Sequence, residues 1–309
     1  MTRTPLTYDL SFATPAFVGD AAQQAQWRTP PLKALIRQWW RVVKAPQFGF
    51  NVERLRSAEE ALFGTAASDG EHMPSHQSLL RLRLSTWEQG KLTSWPTGEP
   101  RETHPEVGRP VGTELYLGFG PLAYDKVARS AALGMTNGLK RNAIDDKSVA
   151  TLRLLCPVQH QADMQGLFQL VAWFGTVGSR ARNGWGSLQI AHHDLKPLTR
   201  DNLRPLAVSR PLTECLDIDW PHAIGEDRHG PLVWKTRVTG NWRQIMKELA
   251  RIKIAFRTQP ALSLAGVTQG TFAARHLLAY PITHQPRFLC CTARCCWWSE
   301  PALPSDTPA

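Results

Sequence analysis

Leu6, Tyr8, Leu10 and Phe12 alternate with Thr7, Asp9, Ser11 and Ala13, so the chain opens on a half-buried strand that Thr14-Pro15 stops. Phe17-Val18-Gly19-Asp20 begins a loop, and the apolar period then changes from two to 3.6. Leu32, Leu35, Ile36, Trp39, Trp40 and Val43 make one broad helical stripe. Thr29 is its expected N-cap, with Pro30 and Pro31 in the first turn, where a missing N–H costs little. A second helical piece runs from Asn51 to Phe63 and ends at Gly64. Leu80, Leu82 and Leu84, separated by Arg81 and Arg83, form another alternating strand. An insertion rich in Gly, Pro, Thr and Glu is expected over about residues 65–112. Glu114 to Phe119 reads as strand, and so does Ala150 to Pro157. Met164, Leu167, Phe168, Val171 and Phe174 then stripe a helix over Ala162 to Phe174, and Gln189-Ile190 ends a last strand.

This order closes one strand–helix–strands–helix–strand cycle near residue 191. It predicts an α+β fold with a ferredoxin-like first domain over residues 1–196, an antiparallel sheet carrying two helices on one face. Pro197 to Pro211 reads as a linker. A second cycle starts with strands at Leu212–Trp220 and at Leu232, Trp234, Thr236 and Val238. Asn241 then caps a helix striped by Trp242, Ile245, Met246, Leu249, Ile252 and Phe256, with Arg243, Lys247 and Arg251 on another face. Too few residues follow to complete the unit, so 197–284 reads as a partial second domain. Residues 285–309 read as an aberrant tail: periodicity stops, and Cys290, Cys291, Cys295 and Cys296 crowd together. A shifted reading frame accounts for it.

Charge narrows the partner. The 309 residues carry 36 Lys+Arg against 26 Asp+Glu, a net charge of +10 and a pI near 9.6, which favours nucleic acid first and an anionic membrane surface second. No apolar run approaches the roughly 20 residues of a membrane span, and the N-terminus lacks the apolar core of a signal peptide, so a cytoplasmic location is expected. Cys156 and Cys215 read as small core residues. Lys33, Arg37, Arg41 and Lys44 recur at four, four and three residues along one helix face, with no acidic residue between Arg28 and Val52 to pair them. Either this face is merely solvated, or a polyanion lies across it and removes the repulsion between like charges. The second basic feature is a loop in which Gly175, Gly178, Gly184 and Gly186 alternate with Ser179, Arg180, Arg182, Asn183 and Ser187. Glycines admit a phosphate close to backbone N–H groups, and arginines supply charge. The Lys-Ser/Thr pair of a nucleotide P-loop is absent, and a plain turn is the alternative.

Residues suited to catalysis are scattered. His192-His193, His72 and His76 have no partner at informative spacing, and Asp20 faces either an RNA backbone or solvent. The adjacent Cys-Cys pairs fit zinc spacing poorly. No catalytic residue, metal site or cofactor is expected.

The stretches FATPAFVGD, WRTPPLKALIRQWWR, EEALFG and FGTVGSRARNGWGSL, in that order, resemble the RAMP proteins of type III CRISPR effectors, most closely the first-numbered Cmr subunit of type III-B complexes. The match covers about residues 6–190, with a weaker echo in ARHLLAYPI, ending at Ile282. The resemblance implies tandem ferredoxin-like (RRM-like) RAMP domains in a non-catalytic subunit of a Cmr complex serving antiviral defence. That subunit touches the 3′ part of the crRNA and the target RNA, with other RAMP subunits as partners. Lys33, Arg37, Trp39, Trp40 and Arg41 match the helix motif, and Arg180 and Arg182 the loop motif; Leu32 and Ala34 stand where Ser and Gly often flank the lysine. The expected RNA-binding set is therefore Lys33, Arg37, Arg41, Lys44, Gly178, Ser179, Arg180, Arg182 and Asn183, bordering one groove. The competing readings are a metal-independent endoribonuclease of the repeat-processing type, using a histidine beside the arginine loop, and a target-cleaving subunit using Asp20.

Overall fold

A computed structural model describes residues 3–65 and 75–262. Strand β1 (Arg3–Phe12) leads through a loop into helix α1 (Thr29–Lys44), then α2 (Val52–Phe63) and strand β2 (Arg81–Leu84). The chain next leaves the sheet for residues 85–149. That excursion holds hairpin β3 (Arg101–His104)–β4 (Arg109–Gly112), helix α3 (Thr113–Gly118), hairpin β5 (Leu122–Asp125)–β6 (Ser130–Leu133) and the short pair β7 (Met135–Thr136)–β8 (Leu139–Lys140). It returns as β9 (Ala150–Pro157), helix α4 (Gln161–Phe174) and β10 (Leu188–Ala191). The four long-range strands form one antiparallel sheet in the order β10-β1-β9-β2. Each split βαβ half has a strand of the other between its own two, as expected of a ferredoxin-like unit.

Period-two alternation decides the faces. Tyr8, Leu10 and Phe12 of β1 and Leu152, Leu154 and Cys156 of β9 are buried, and they share one core with Leu32, Leu35, Ile36 and Trp40 of α1 and Met164, Leu167, Phe168 and Val171 of α4. The Tyr8 and Phe168 rings stack at 3.9 Å between centroids. Each Leu, Ile, Val, Phe and Met among them, on burial, stabilises the fold by about 1.5–3 kcal/mol. Trp40 is buried in this core and Trp39 half-buried against Phe174, so both tryptophans of the helix motif serve packing, as the stripe implied.

Several sequence expectations are corrected. Thr29 lies inside α1; Arg28 occupies the N-cap and no side chain caps the helix. The insertion sits between β2 and β9, at 85–149, later than the expected 65–112; residues 66–74, with His72, lie outside the described residues. Glu114–Phe119 does not run as a strand. A helical turn places Glu114, Leu117 and Gly118 on one buried face, and the Glu114 carboxylate is held there by Trp95 and Arg243.

After β10 come the short helix α5 (Arg200–Leu203), strand β11 (Ser209–Pro211), helix α6 (Leu212–Leu216), strands β12 (Ile224–Asp227) and β13 (Gly230–Pro231), and helix α7 (Trp242–Arg257). Leu212–Trp220 therefore begins as helix and not strand, and Leu232–Val238 belongs to no strand. Among the described residues this part forms one three-stranded sheet, β11-β12-β13. Asn241 caps α7 as expected, its side chain accepting the Gln244 amide. A second core joins α7 to the insertion through Phe17, Trp95, Leu117, Leu122, Trp185, Met246 and Ala250. The proposed tail at 285–309, with its four cysteines, and the echo ending at Ile282 lie outside the described residues, while Cys156 and Cys215 are buried.

Candidate nucleic-acid interface

The basic stripe of α1 has acidic partners that its own neighbourhood in sequence does not reveal. Glu59, on α2, is buried, and its carboxylate accepts Arg37 Nε at 2.6 Å, Arg41 Nε at 2.5 Å and Arg41 Nη2 at 2.8 Å. Burial pushes the Glu59 carboxyl up, but hydrogen bonds from Arg41 and Arg37 outweigh it and hold it below the usual carboxylate range. Lys44 Nζ pairs with Asp163 Oδ2 of α4 at 3.0 Å. Lys33 Nζ donates to the Phe63 carbonyl at 2.9 Å, and burial, then the Arg37 charge, lower its pKa. The expectation of an unpaired stripe is thus corrected: α2 and α4, packed on α1, bring the carboxylates. Arg37 and Arg41 remain about one-third exposed, at 36% and 34% of their side-chain surface, and each guanidinium has more donors than Glu59 can accept.

The glycine loop is built as a clasp on the segment that follows β1. Val177 N donates to the Gly186 carbonyl at 2.9 Å and Leu188 N to the Gly175 carbonyl at 2.8 Å. Ser179 N reaches the Phe17 carbonyl at 2.9 Å, Gly186 N reaches that of Pro15 at 3.1 Å, and the Thr14 hydroxyl donates to the Gly184 carbonyl at 2.7 Å. The FATPAFVGD and GSRARNGWG motifs are therefore one structural unit, though about 160 residues separate them in sequence. Two glycines are required by this contact. A Cβ on Gly178 (φ +97°) would stand 2.6 Å from the Phe17 carbonyl oxygen, and one on Gly186 (φ +64°) 2.0 Å from that of Val177.

The loop tip faces α3 and α7. Arg180, in the left-handed region at φ 61°, donates from Nε to the Phe119 carbonyl at 2.7 Å. Asn183 Nδ2 donates to the Leu117 carbonyl at 2.8 Å, while its Oδ1 accepts Lys253 Nζ of α7 at 2.6 Å. Arg182 is exposed and, among the described residues, makes no hydrogen bond or ion pair. Burial, followed by the charges of Arg257, Arg180 and Arg182, lowers Lys253 to about 8 from its ordinary 10.5. Lys253 thus bonds to Asn183 within the field of Arg180, Arg182 and Arg257, and among the described residues no carboxylate pairs with any of the four. Lys253 and Arg257 were missed in the sequence. The available signal is that they continue, at seven and eleven residues, the face that Met246 and Ala250 bury, so a lysine there cannot be a generic solvated one.

The remaining candidates lie elsewhere. The stripe meets α2 and α4, and the loop meets α3 and α7. Asp20 shapes its own turn, Oδ1 accepting the Ala22 and Gln24 amides at 2.8 and 2.9 Å. His76 is exposed. His192 follows the far end of β10 from the loop, about 13 Å along the strand, and stacks on His193 with Tyr8 beside it. His192, His193 and Asp194 form the one group of three ligand-type side chains within 4.8 Å among the described residues. They are sequence neighbours, and His192 Nδ1 already lies 3.3 Å from the Asp194 amide as its acceptor. No helix among the described residues is long and apolar enough to cross a membrane.

No protein-family profile and no curated protein matches the sequence. Solved structures similar to this chain include Cmr1 of Pyrococcus furiosus in its apo form, at 15% identity and TM-score 0.42 over 87% of this chain and 80% of that one. Another is a chain of a type IV-B CRISPR complex, at 13% identity and TM-score 0.34 over 64% and 94%. A third is a chain of type III-B Cmr-beta bound to cognate target RNA, at 11% identity and TM-score 0.33 over 65% and 61%.

Proposed function

We propose that this chain is a non-catalytic RNA-binding subunit of a type III-B CRISPR (Cmr) effector complex, built on tandem RAMP domains of which the second is incomplete. In this reading it works in the cytoplasm with other RAMP subunits, contacting the 3′ part of the crRNA and the target RNA. The observation that carries the reading is Lys253, bonded to Asn183 of the loop and repelled by Arg180, Arg182 and Arg257, with no carboxylate paired to any of the four among the described residues. An arrangement of like charges that costs stability by itself is offset when a phosphate enters it. Gly178 and Ser179 set the loop backbone, and Arg182 reaches out from it. Lys33, Arg37, Arg41 and Lys44 form a second, weaker set, since Glu59 and Asp163 already neutralise part of the charge of Arg37, Arg41 and Lys44 and Lys33 is held by the Phe63 carbonyl. Contacts of this kind position an RNA strand without reading its sequence.

The test is single-stranded RNA binding by the full chain as a function of salt, with RNA integrity followed with and without EDTA. Each phosphate contact contributes about 0.7 to the slope of log affinity against log salt. Arg182→Gln is expected to lower the slope by about 0.7 for every RNA sequence alike, and the RNA to stay intact. Loss of sequence-independent binding in the wild type, or cleavage of the RNA, overturns the proposal.

A further inference from the structure

The helices cover one face of the β10-β1-β9-β2 sheet and leave the other open. Arg81 and Arg83 of β2 and Arg153 of β9 project to that open face, since their neighbours Leu82, Leu84, Leu152 and Leu154 turn to the core. In the strand register Arg83 stands directly opposite Arg153, and Arg81 stands opposite Leu155, two residues further along. All three arginines are exposed, and none makes a hydrogen bond or ion pair among the described residues. Asp9 of β1 is the acid of this face near them, and its Oδ1 is taken by the Thr151 hydroxyl at 2.8 Å.

Like charges directly opposite on an antiparallel pair destabilise it. Charges on an edge strand such as β2 guard against edge-to-edge pairing, but β9 is an interior strand, so that reason does not extend to Arg153. An anion bound across the pair would offset the repulsion. Arg81 and Arg83 are about 6.7 Å apart along their strand, comparable with the step between successive phosphates of an extended single strand. Guanidinium forks suit phosphate oxygens bidentately. Among the described residues no aromatic side chain accompanies the arginines on this face, so these residues offer no platform for stacking bases.

We propose that the open sheet face, through Arg81, Arg83 and Arg153, is a second RNA site that grips the phosphodiester backbone and not the bases. It is separate from the loop site, because the glycine loop feeds β10, the opposite edge strand of the sheet. The inference rests on the RNA-binding reading above, and its test is arranged so that the two fail differently.

The experiment measures salt-dependent binding of a labelled single-stranded RNA of about thirty nucleotides to the full-length wild type, to R81Q/R83Q/R153Q and to R182Q, with a thermal melt of each. The sheet triple variant is expected to lower the salt slope by about 2, or 0.7 per contact, while its melting temperature stays level or rises as the repulsion is removed. An unchanged slope in the triple variant beside a lowered one in R182Q overturns the sheet site and leaves the RNA reading standing. Absence of RNA binding by the wild type overturns both. A third arm replaces the RNA by labelled polyglutamate: if the triple substitution weakens polyglutamate binding as much as RNA binding, the face takes any polyanion and the commitment to RNA falls.

Discussion

At the scale of single residues, the site turns on a lysine that burial and like charges have made unusually easy to deprotonate. Lys253 titrates near 8 when folded and at 10.5 otherwise. Its charged form is therefore disfavoured by the fold, so stability is lower below pH 8 and rises between about 8 and 10.5, where the unfolded chain binds the extra proton. RNA acts in the opposite sense. A phosphate beside Lys253 favours the ammonium form, so affinity is full below pH 8 and falls as pH rises through it. The expected outcome is a weakening of RNA binding between pH 7 and pH 9, read by fluorescence anisotropy at fixed salt. Lys253→Arg, which keeps its charge over that range, should remove the pH dependence and retain the binding. A profile for the arginine variant that still follows the wild type would mean that another group titrates there. This residue was not legible as a site in the sequence because its environment is supplied by the loop around Asn183, 70 positions away.

At the scale of elements, what the sequence showed well was what periodicity controls. The strands around Tyr8 and Leu154 and the helices α1, α2 and α4 stand where the apolar pattern places them, because each buries one face against the same core. Six-residue segments went astray. Glu114–Phe119 alternates like a strand, and only Arg243 and Trp95, brought from elsewhere, make helix the better solution. The α1 stripe was misread for a related reason: a sequence window sees the four cations but not Glu59 on the next helix. That pair also yields a prediction. Glu59→Gln keeps the shape but leaves Arg37 and Arg41 without their counter-charge. Breaking a buried pair costs about 3–5 kcal/mol; with both arginines partly solvated, the expected loss is about 2 kcal/mol in urea unfolding. Because the carboxyl is held below its ordinary 4.5 in the folded state, its contribution is present above that pH and is lost as pH falls through the lower folded value. Wild type and variant should therefore differ most near neutrality and converge in acid. Equal stability at pH 7 would show that water can replace the pair.

At the scale of the whole molecule, the proposed RNA site assembles only because α7, far along the chain, is docked on the insertion. Arg243 donates from Nε to Glu114 Oε1 at 2.6 Å and from Nη2 to Oε2 at 3.1 Å, and Trp95 Nε1 donates to the same carboxylate at 2.7 Å. Glu114 is fully buried and Arg243 mostly so. Met246 and Ala250 carry the contact one and two turns on, and Lys253 then reaches the loop at Asn183 with the Arg257 charge acting on it. Glu114→Gln separates this docking account from simple charge attraction, because the two predict opposite signs. The substitution makes the protein more positive, so long-range electrostatics alone would strengthen RNA binding. Docking predicts the reverse. With Arg243 left uncompensated, α7 loses its anchor, Lys253 and Arg257 withdraw from the loop, and the salt slope falls by about 1.4, the share of two contacts. The measurement is the same salt titration, accompanied by hydrogen exchange of α7 amides, which should accelerate while those of β1 and β9 remain protected. Tighter RNA binding with unchanged α7 protection would leave Lys253 and Arg257 as bystanders and confine the site to the loop.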